Sequence, residues 1–273
     1  MLDGVARLLV GTSGYSYPDW VGPVYPPGTR QEEYLGLYAR RFDFVELNFS
    51  YYRQPDPGVM EKLQSKVGEE FRFATKAHRS LTHERQPDFA AEARRFREGI
   101  APLERSGRLA AVLLQFPFSF HYDEQSRRYL DRLCRTLEGL PLAVEFRNRD
   151  WSRESVRAEL ERRNVALVST DLPPLPELPS PELLVTSPLA YVRFHGRNST
   201  AWWTGDSASR YDYRYSAAEL DEWARRMLDV LKTLGVMIVA FNNHYRGQAV
   251  ANALELKERL APPTGTDAAS AGG

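Results

Sequence analysis

Cysteine, lysine and long apolar runs are what this chain has little of. One cysteine, Cys134, stands among 273 residues, which excludes an intramolecular disulfide framework and a multi-thiolate metal site. No apolar run approaches the roughly 18–20 residues that cross a bilayer. The opening MLDGVARLLVGTSGY lacks a charged leader with a long apolar core, so a cytoplasmic protein with no membrane partner is expected. Neither charge sign is in excess, since 36 Lys plus Arg face 36 Asp plus Glu. That balance argues against generic electrostatic binding to nucleic acid, although it leaves room for a local basic patch. Only five of the basic residues are lysine, so a single arginine is weak evidence and position must decide. The chain has no G-x-G-x-x-G, P-loop, H-E-x-x-H or G-x-S-x-G, which disfavours dinucleotide-binding, ATPase, zincin and α/β-hydrolase readings.

What is present is a rhythm. Apolar, β-branched runs recur at Leu8–Ser13, Asp43–Asn48, Phe71–Lys76, Leu109–Phe116, Leu142–Phe146, Val165–Thr170, Leu189–His195 and Val236–Phe241. Most are continuous rather than alternating, as suits strands of a parallel sheet buried on both faces. Between them lie charge-rich stretches with helical spacing: Gln31–Arg41, Gln86–Glu104, Glu124–Leu137, Ser152–Arg163, Ser216–Leu234 and Gly247–Leu260. Ser152 reads as a capped start, and Ser216 with Glu219 has capping-box spacing. Eight strands alternating with helices, about 33 residues apart, predict a (β/α)8 TIM barrel, with a doubly wound open sheet as the alternative. The barrel is expected as a single domain over residues 1–260, followed by a small, polar, flexible tail at 261–273. Five prolines in Pro173–Pro181 make the sixth βα connection irregular. The stretch Gly196–Tyr215, with Trp202, Trp203, Tyr211, Tyr213 and Tyr215, forms a long aromatic loop after strand seven.

In such barrels the chemistry sits where the strands end. There the sequence places Tyr15, Glu46 with Asn48 and Arg53, Lys76 with His78, Gln115, Glu145 with Arg147, Asp171, Arg193 with His195, and Asn242 with Asn243. Burying such groups costs free energy unless they are paired. Glu46, Lys76, Glu145 and His195 are the candidate catalytic residues for acid–base work. Tyr15, Asn48, Arg53, His78, Gln115, Arg147, Asp171, Arg193, Asn242 and Asn243 are the candidate ligand-binding residues, with Lys76, Arg147 and Arg193 holding an anion. The competing structural reading makes the carboxylates partners of Arg147, Arg193 or Lys76 in one ion-pair network. His83 and His121 read as surface or loop residues, and Cys134 as inert packing. The three cations on the rim oppose a divalent metal, so neither metal nor cofactor is expected. A small anionic or sugar-like molecule is the expected partner. The aromatic loop keeps nucleic acid open as an alternative, and a non-catalytic binding protein is the third.

These strand ends resemble the YecE-like family, also called domain-of-unknown-function family 72. The likeness is carried by Gly11-Thr12-Ser13-Gly14-Tyr15-Ser16-Tyr17 with Trp20 and Tyr25-Pro26, by Val45-Glu46-Leu47-Asn48 with Tyr52-Arg53-Gln54-Pro55, and by Phe73-Ala74-Thr75-Lys76 with Thr82-His83. Leu113-Leu114-Gln115-Phe116-Pro117 with Ser119-Phe120, Val144-Glu145-Phe146-Arg147 with Trp151, Tyr191-Val192-Arg193-Phe194-His195-Gly196, and Phe241-Asn242-Asn243 with Ala249 and Asn252-Ala253 extend it over roughly residues 8–260. The resemblance implies a TIM-barrel fold and no established activity. Looser likeness to xylose-isomerase-like and apurinic-endonuclease-like barrels is one of fold alone. The chain departs from the pattern at Tyr15, where Trp is common, at Tyr51, where Phe is common, and at Asn148, where His is frequent.

Overall fold

Eight strands appear in a computed structural model that describes residues 6–261. They are β1 (Arg7–Thr12), β2 (Phe44–Leu47), β3 (Arg72–Lys76), β4 (Leu109–Gln115), β5 (Leu142–Glu145), β6 (Ala166–Asp171), β7 (Leu189–Phe194) and β8 (Val236–Phe241). Each lies within one residue of the apolar run that predicts it. The expected tail lies outside the described residues, apart from Ala261. Every pairing is parallel, and the strands follow one another in the order β1-β8-β7-β6-β5-β4-β3-β2. With the helices between, this is the (β/α)8 barrel.

The seam between β1 and β2 closes differently from the other junctions. Ser13 bridges Glu46, and Gly14 N–H donates to the Glu46 carbonyl at 2.8 Å. Below that bridge the Tyr38 hydroxyl enters the gap. It accepts from Thr12 N–H at 2.9 Å and donates to the Phe44 carbonyl at 3.0 Å. Gly11 makes this insertion possible: a Cβ there would lie 2.8 Å from the Tyr38 oxygen and 2.3 Å from the Phe44 carbonyl.

The helices are α1 (Tyr34–Tyr38), α2 (Phe49–Tyr52), α3 (Pro57–Gln64), α4 (Ala90–Arg105), α5 (Glu124–Thr136), α6 (Glu154–Arg162), α7 (Ser207–Arg210), α8 (Ala217–Leu231) and α9 (Gln248–Leu260). The capping box of Ser216 and Glu219 is present, and the proline-rich sixth connection contains no helix. Three local expectations are corrected, and two helices appear where none was expected. The first helix is short because a 3-10 turn, Gln31–Glu33, precedes it. α6 starts from Arg153 rather than Ser152, because Ser152 closes a 3-10 turn at Arg149–Trp151. The helix expected from Gln86 begins at Ala90, and a π-helical turn at Ser80–Glu84 comes before it. Finally, α2 and α3 fill the connection after β2; Asp56 caps α3 by accepting from Val59 N–H, with Pro57 in the first turn.

Alternation sorts the strand residues into two layers. Val45, Leu47, Val144, Phe146, Val192 and Phe194 face the helices in the main core. Leu9, Phe44, Ala74, Ala111, Leu113, Ala143, Ala166, Val168, Tyr191, Ile238 and Ala240, drawn from all eight strands, fill the bore. The bore is plugged by five alanines and four larger aliphatic side chains around two aromatic rings. Two residues further along seven of the strands, the same inward positions carry polar groups, and on β1 the first is Ser13, beyond Gly11. No described helix is long and apolar enough to cross a membrane.

Candidate functional site

Arg193 is the hub of that polar layer. Its Nε and Nη2 donate to the two Glu46 oxygens at 2.8 and 2.7 Å, and Nη1 donates to Glu145 Oε2 at 2.5 Å. The second hydrogens of Nη1 and Nη2 face His195 Nε2 and Ser13 Oγ at 3.5 and 3.4 Å. Glu46, Glu145 and Ser13 thereby accept from four of the five guanidinium donors, and the fifth faces the His195 ring. Tyr191 O–H donates to Glu46 at 2.6 Å. The other Glu145 oxygen accepts from Arg147 Nε. Arg147 Nη2 lies 3.2 Å from His195 Nε2, and Arg147 Nη1 makes no hydrogen bond among the described residues. Asn242 Nδ2 lies 3.1 Å from His195 Nδ1, which leaves the Nε2–H tautomer of a neutral ring facing Glu145 at 3.5 Å.

Lys76 differs from all of these. It ends β3 on an inward position, and its Nζ lies 4.4 Å over the Tyr51 ring. Among the described residues the amine makes no ion pair or hydrogen bond, and the side chain remains partly exposed at the barrel mouth. Burial, followed by the positive charge of Arg193, outweighs the attraction of Glu145 and Glu46 and lowers its pKa to about 7. Burial also acts on Glu145, but the guanidinium groups of Arg147 and Arg193 overcome it and hold the carboxyl well below its usual range. Burial and Arg147 push His195 down to about 3, so the ring stays neutral. Two carboxylates and two guanidinium groups cancel, and Lys76 is the group whose charge can change near neutral pH.

The structure brings Glu46, Lys76, Glu145, Arg147, Arg193, His195 and Asn242 into this layer. Asn48 and Gln115 share its inward register. The Asn48 side-chain oxygen, Oδ1, is buried without a hydrogen bond among the described residues, while the Gln115 amide donates to the Phe116 carbonyl at 2.7 Å. His78 accompanies Ser80 at 2.8 Å beside the π-helical turn, and Arg53 is exposed. Three candidates lie elsewhere. Tyr15 packs on Tyr38 on the outer side of β1. Asn243 donates to Tyr213 O and Asn252 Oδ1. Asp171 accepts from Arg197, Tyr215 and Trp223, and so anchors the base of the aromatic loop. Asp171 and Asn243 occupy the outward parity of their strands, a signal already present in the sequence.

Two groups were not foreseen. His83, read as a surface residue, packs edge-on against Tyr51 at 4.8 Å; burial and the nearby Lys76 charge lower its pKa to about 4. The π-helical turn that carries it, a geometry frequent at functional sites, was the missing cue. Tyr17 stacks on His244 at 4.5 Å and is buried close enough to feel Glu46, Tyr211 and Tyr52. Trp202 of the aromatic loop lies over Arg147 at 5.7 Å. His121 is at the surface, paired with Asp150. Among the described residues no three His, Cys, Asp or Glu side chains gather in a metal-holding group. A cavity of about 1150 Å³ opens at the opposite end, where the strands begin; Arg7, Arg72, Arg135, Arg162 and Arg163 along it are all paired with acids.

Comparison with known proteins agrees with this architecture. A family model described as "Protein of unknown function DUF72" matches residues 9–271. UPF0759 protein YunF of Bacillus subtilis (strain 168) is 29% identical over 270 residues, covering 93% of this chain and 94% of its own length. A crystal structure of a DUF72 family protein from Thermotoga maritima MSB8 is 37% identical, with TM-score 0.87 over 93% of this chain and 99% of that one. Another, from Enterococcus faecalis V583, is 27% identical, with TM-score 0.82 over 93% and 95%.

Proposed function

Because the chain belongs to the DUF72 family, whose description names no reaction, the reading must rest on the site, and we propose that the protein is an enzyme acting on a small anionic or sugar-like molecule at the C-terminal mouth of the barrel, with Lys76 as the group that exchanges the proton. The observation that carries this reading is an unpaired amine, with pKa about 7, beside a network whose other charges already cancel. A general base works best with a pKa near the working pH. Arg193, saturated by Glu46, Glu145 and Ser13, fixes the carboxylates rather than binding the ligand. Arg147, through its free Nη1, is the better anion anchor. His195, held neutral, offers hydrogen bonds rather than a titrating charge. Proton abstraction beside a carbonyl, as in isomerase or lyase chemistry, uses these parts most directly. The reading retains the expectation of a cytoplasmic protein.

The test is solvent-deuterium exchange by NMR over a panel of sugar phosphates and hydroxy acids. The wild type should wash deuterium into one of them, and Lys76→Met should abolish that exchange while remaining folded. Undiminished exchange in a Glu46→Gln/Lys76→Met/Glu145→Gln variant would sink the reading. If Lys76→Met changes only the melting temperature, the non-catalytic alternative stands instead.

A second reading, nucleic-acid binding, has one specific observation in its favour. Phe49 and Tyr52 on α2, which follows β2, and Trp203 on the loop after β7 are 37%, 71% and 48% exposed at the mouth side, and exposed aromatics can stack on bases. Its test is salt-dependent quenching of tryptophan fluorescence by single-stranded DNA. No quenching at about 50 mM salt removes it, since phosphate contacts are strongest at low ionic strength.

A further inference from the structure

We propose that Lys76 forms an imine with the carbonyl carbon of a small anionic aldehyde or ketone that enters the barrel mouth. The inference rests on the reading of Lys76 as the reactive group of the site and narrows it to covalent chemistry and to a substrate class.

The geometry separates Lys76 from every other charged side chain nearby. A lysine that serves structure in a buried site is paired with a carboxylate. Here both carboxylates are taken by guanidinium groups, and the amine is left over the face of Tyr51. Strand β3 aims it inward, close enough to Arg193 and Glu145 to feel their charges. Burial, followed by the charges of Arg193 and Arg147, disfavours its protonated form, the condition under which an amine becomes a nucleophile at neutral pH. An iminium keeps one positive charge where the protonated amine had one, and the Tyr51 face and the two carboxylates attract that charge in either form. Arg147 Nη1 supplies a place for a carboxylate or phosphate on the substrate. Asn48 Oδ1, buried without a donor among the described residues, would accept from a substrate hydroxyl.

The step balances. The neutral Nζ attacks the carbonyl carbon and gives a carbinolamine. The carbinolamine oxygen then leaves as water, taking one hydrogen from the nitrogen and one proton from solvent. The carbon is left double-bonded to a nitrogen that holds one hydrogen and a positive charge. No redox change occurs, and hydrolysis is the reverse.

The experiment is reductive trapping at pH 7. Wild-type protein is incubated with glyoxylate, pyruvate or glyceraldehyde 3-phosphate plus cyanoborohydride, whose hydride converts the iminium to a secondary amine. Each adduct adds the mass of the carbonyl compound less one oxygen. The five lysines provide an internal reference, because Lys62, Lys66, Lys232 and Lys257 lie on helices or the outer surface. Peptide mapping should find Lys76 modified at least tenfold faster than the mean of the other four with one of the compounds. The Lys76→Arg variant, shown to be folded by its melting temperature, should lose that adduct. Thermal stabilisation by the same compounds is measured in parallel without reductant. Modification of Lys76 no faster than that of the surface lysines overturns the inference. Stabilisation without an adduct overturns the imine and leaves non-covalent proton transfer standing. Neither stabilisation nor adduct overturns both.

Discussion

Glu46, Glu145 and Arg193 are fully buried in the bore. Charges in such a place are tolerated because each of the four carboxylate oxygens accepts from a guanidinium donor at hydrogen-bond distance. Removing one partner leaves an uncompensated charge, which typically costs about 3–5 kcal/mol. Arg193→Met should therefore lower unfolding stability by roughly that amount in urea titrations. Lys76→Met should behave in the opposite way, because it removes a desolvated amine that has no partner. Its pH dependence makes the contrast sharper. The lysine titrates near its ordinary value of 10.5 when unfolded and near 7 when folded. Between those values the unfolded chain holds the extra proton, so wild-type stability gains with rising pH relative to Lys76→Met. Urea midpoints at pH 6.5 and 9.5 should show the wild type closing on, or losing its deficit to, the methionine variant. An unchanged difference would mean that the amine is hydrated and ordinary. The candidate residues were legible as a set because polar groups interrupt apolar strands. Their roles were not, because pairing joins strands far apart in sequence: Arg193 meets Glu46 across 147 positions.

At the scale of elements, the strands were legible to within a residue because both of their faces are buried and the pattern is unbroken. The connections were less so. The helix at 57–64 carried its own signal, an Asp56-Pro57 start, but it is short and follows a turn rich in aromatics. The π-helical turn at Ser80–Glu84 has no periodic pattern, and with it went the placement of His83. Parity along the strands separates inward Glu145 and Arg147 from outward Asp171, and distinguishes Asn242 from Asn243. Two elements invite tests. Tyr38→Phe removes the hydroxyl that stitches β1 to β2 and leaves Thr12 N–H and the Phe44 carbonyl without it. The expected loss is about 1–3 kcal/mol, read as a lower melting temperature. Asp171→Ala should free Arg197, Tyr215 and Trp223 at the root of the loop spanning residues 196–215. Limited proteolysis should then cut that loop several-fold faster, with the barrel strands still protected from hydrogen exchange.

At the scale of the molecule, the barrel has two thin junctions. Between β5 and β6 the ladder pairs only Ala143 with Ala166 and Val144 with Leu167, and between β1 and β2 it is reduced to the Ser13–Glu46 bridge. These junctions divide the sheet into one half made of β2 to β5 and another made of β6 to β8 with β1. The polar layer spans both divisions. Glu46 and Glu145 belong to the first half, and Arg193, Tyr191 and His195 to the second. The charge network is thus also a bolt between half-barrels, and the overall neutrality of the chain is reproduced inside it. Hydrogen exchange read by mass spectrometry should show the two halves of the wild type opening together, as one cooperative unit. In Arg193→Met the halves should separate, each with its own opening free energy. Tyr191→Phe, which removes a single hydroxyl from Glu46, should produce a smaller split in the same direction. Halves that stay matched in both variants would show that the helix layer, rather than the buried charges, couples the barrel.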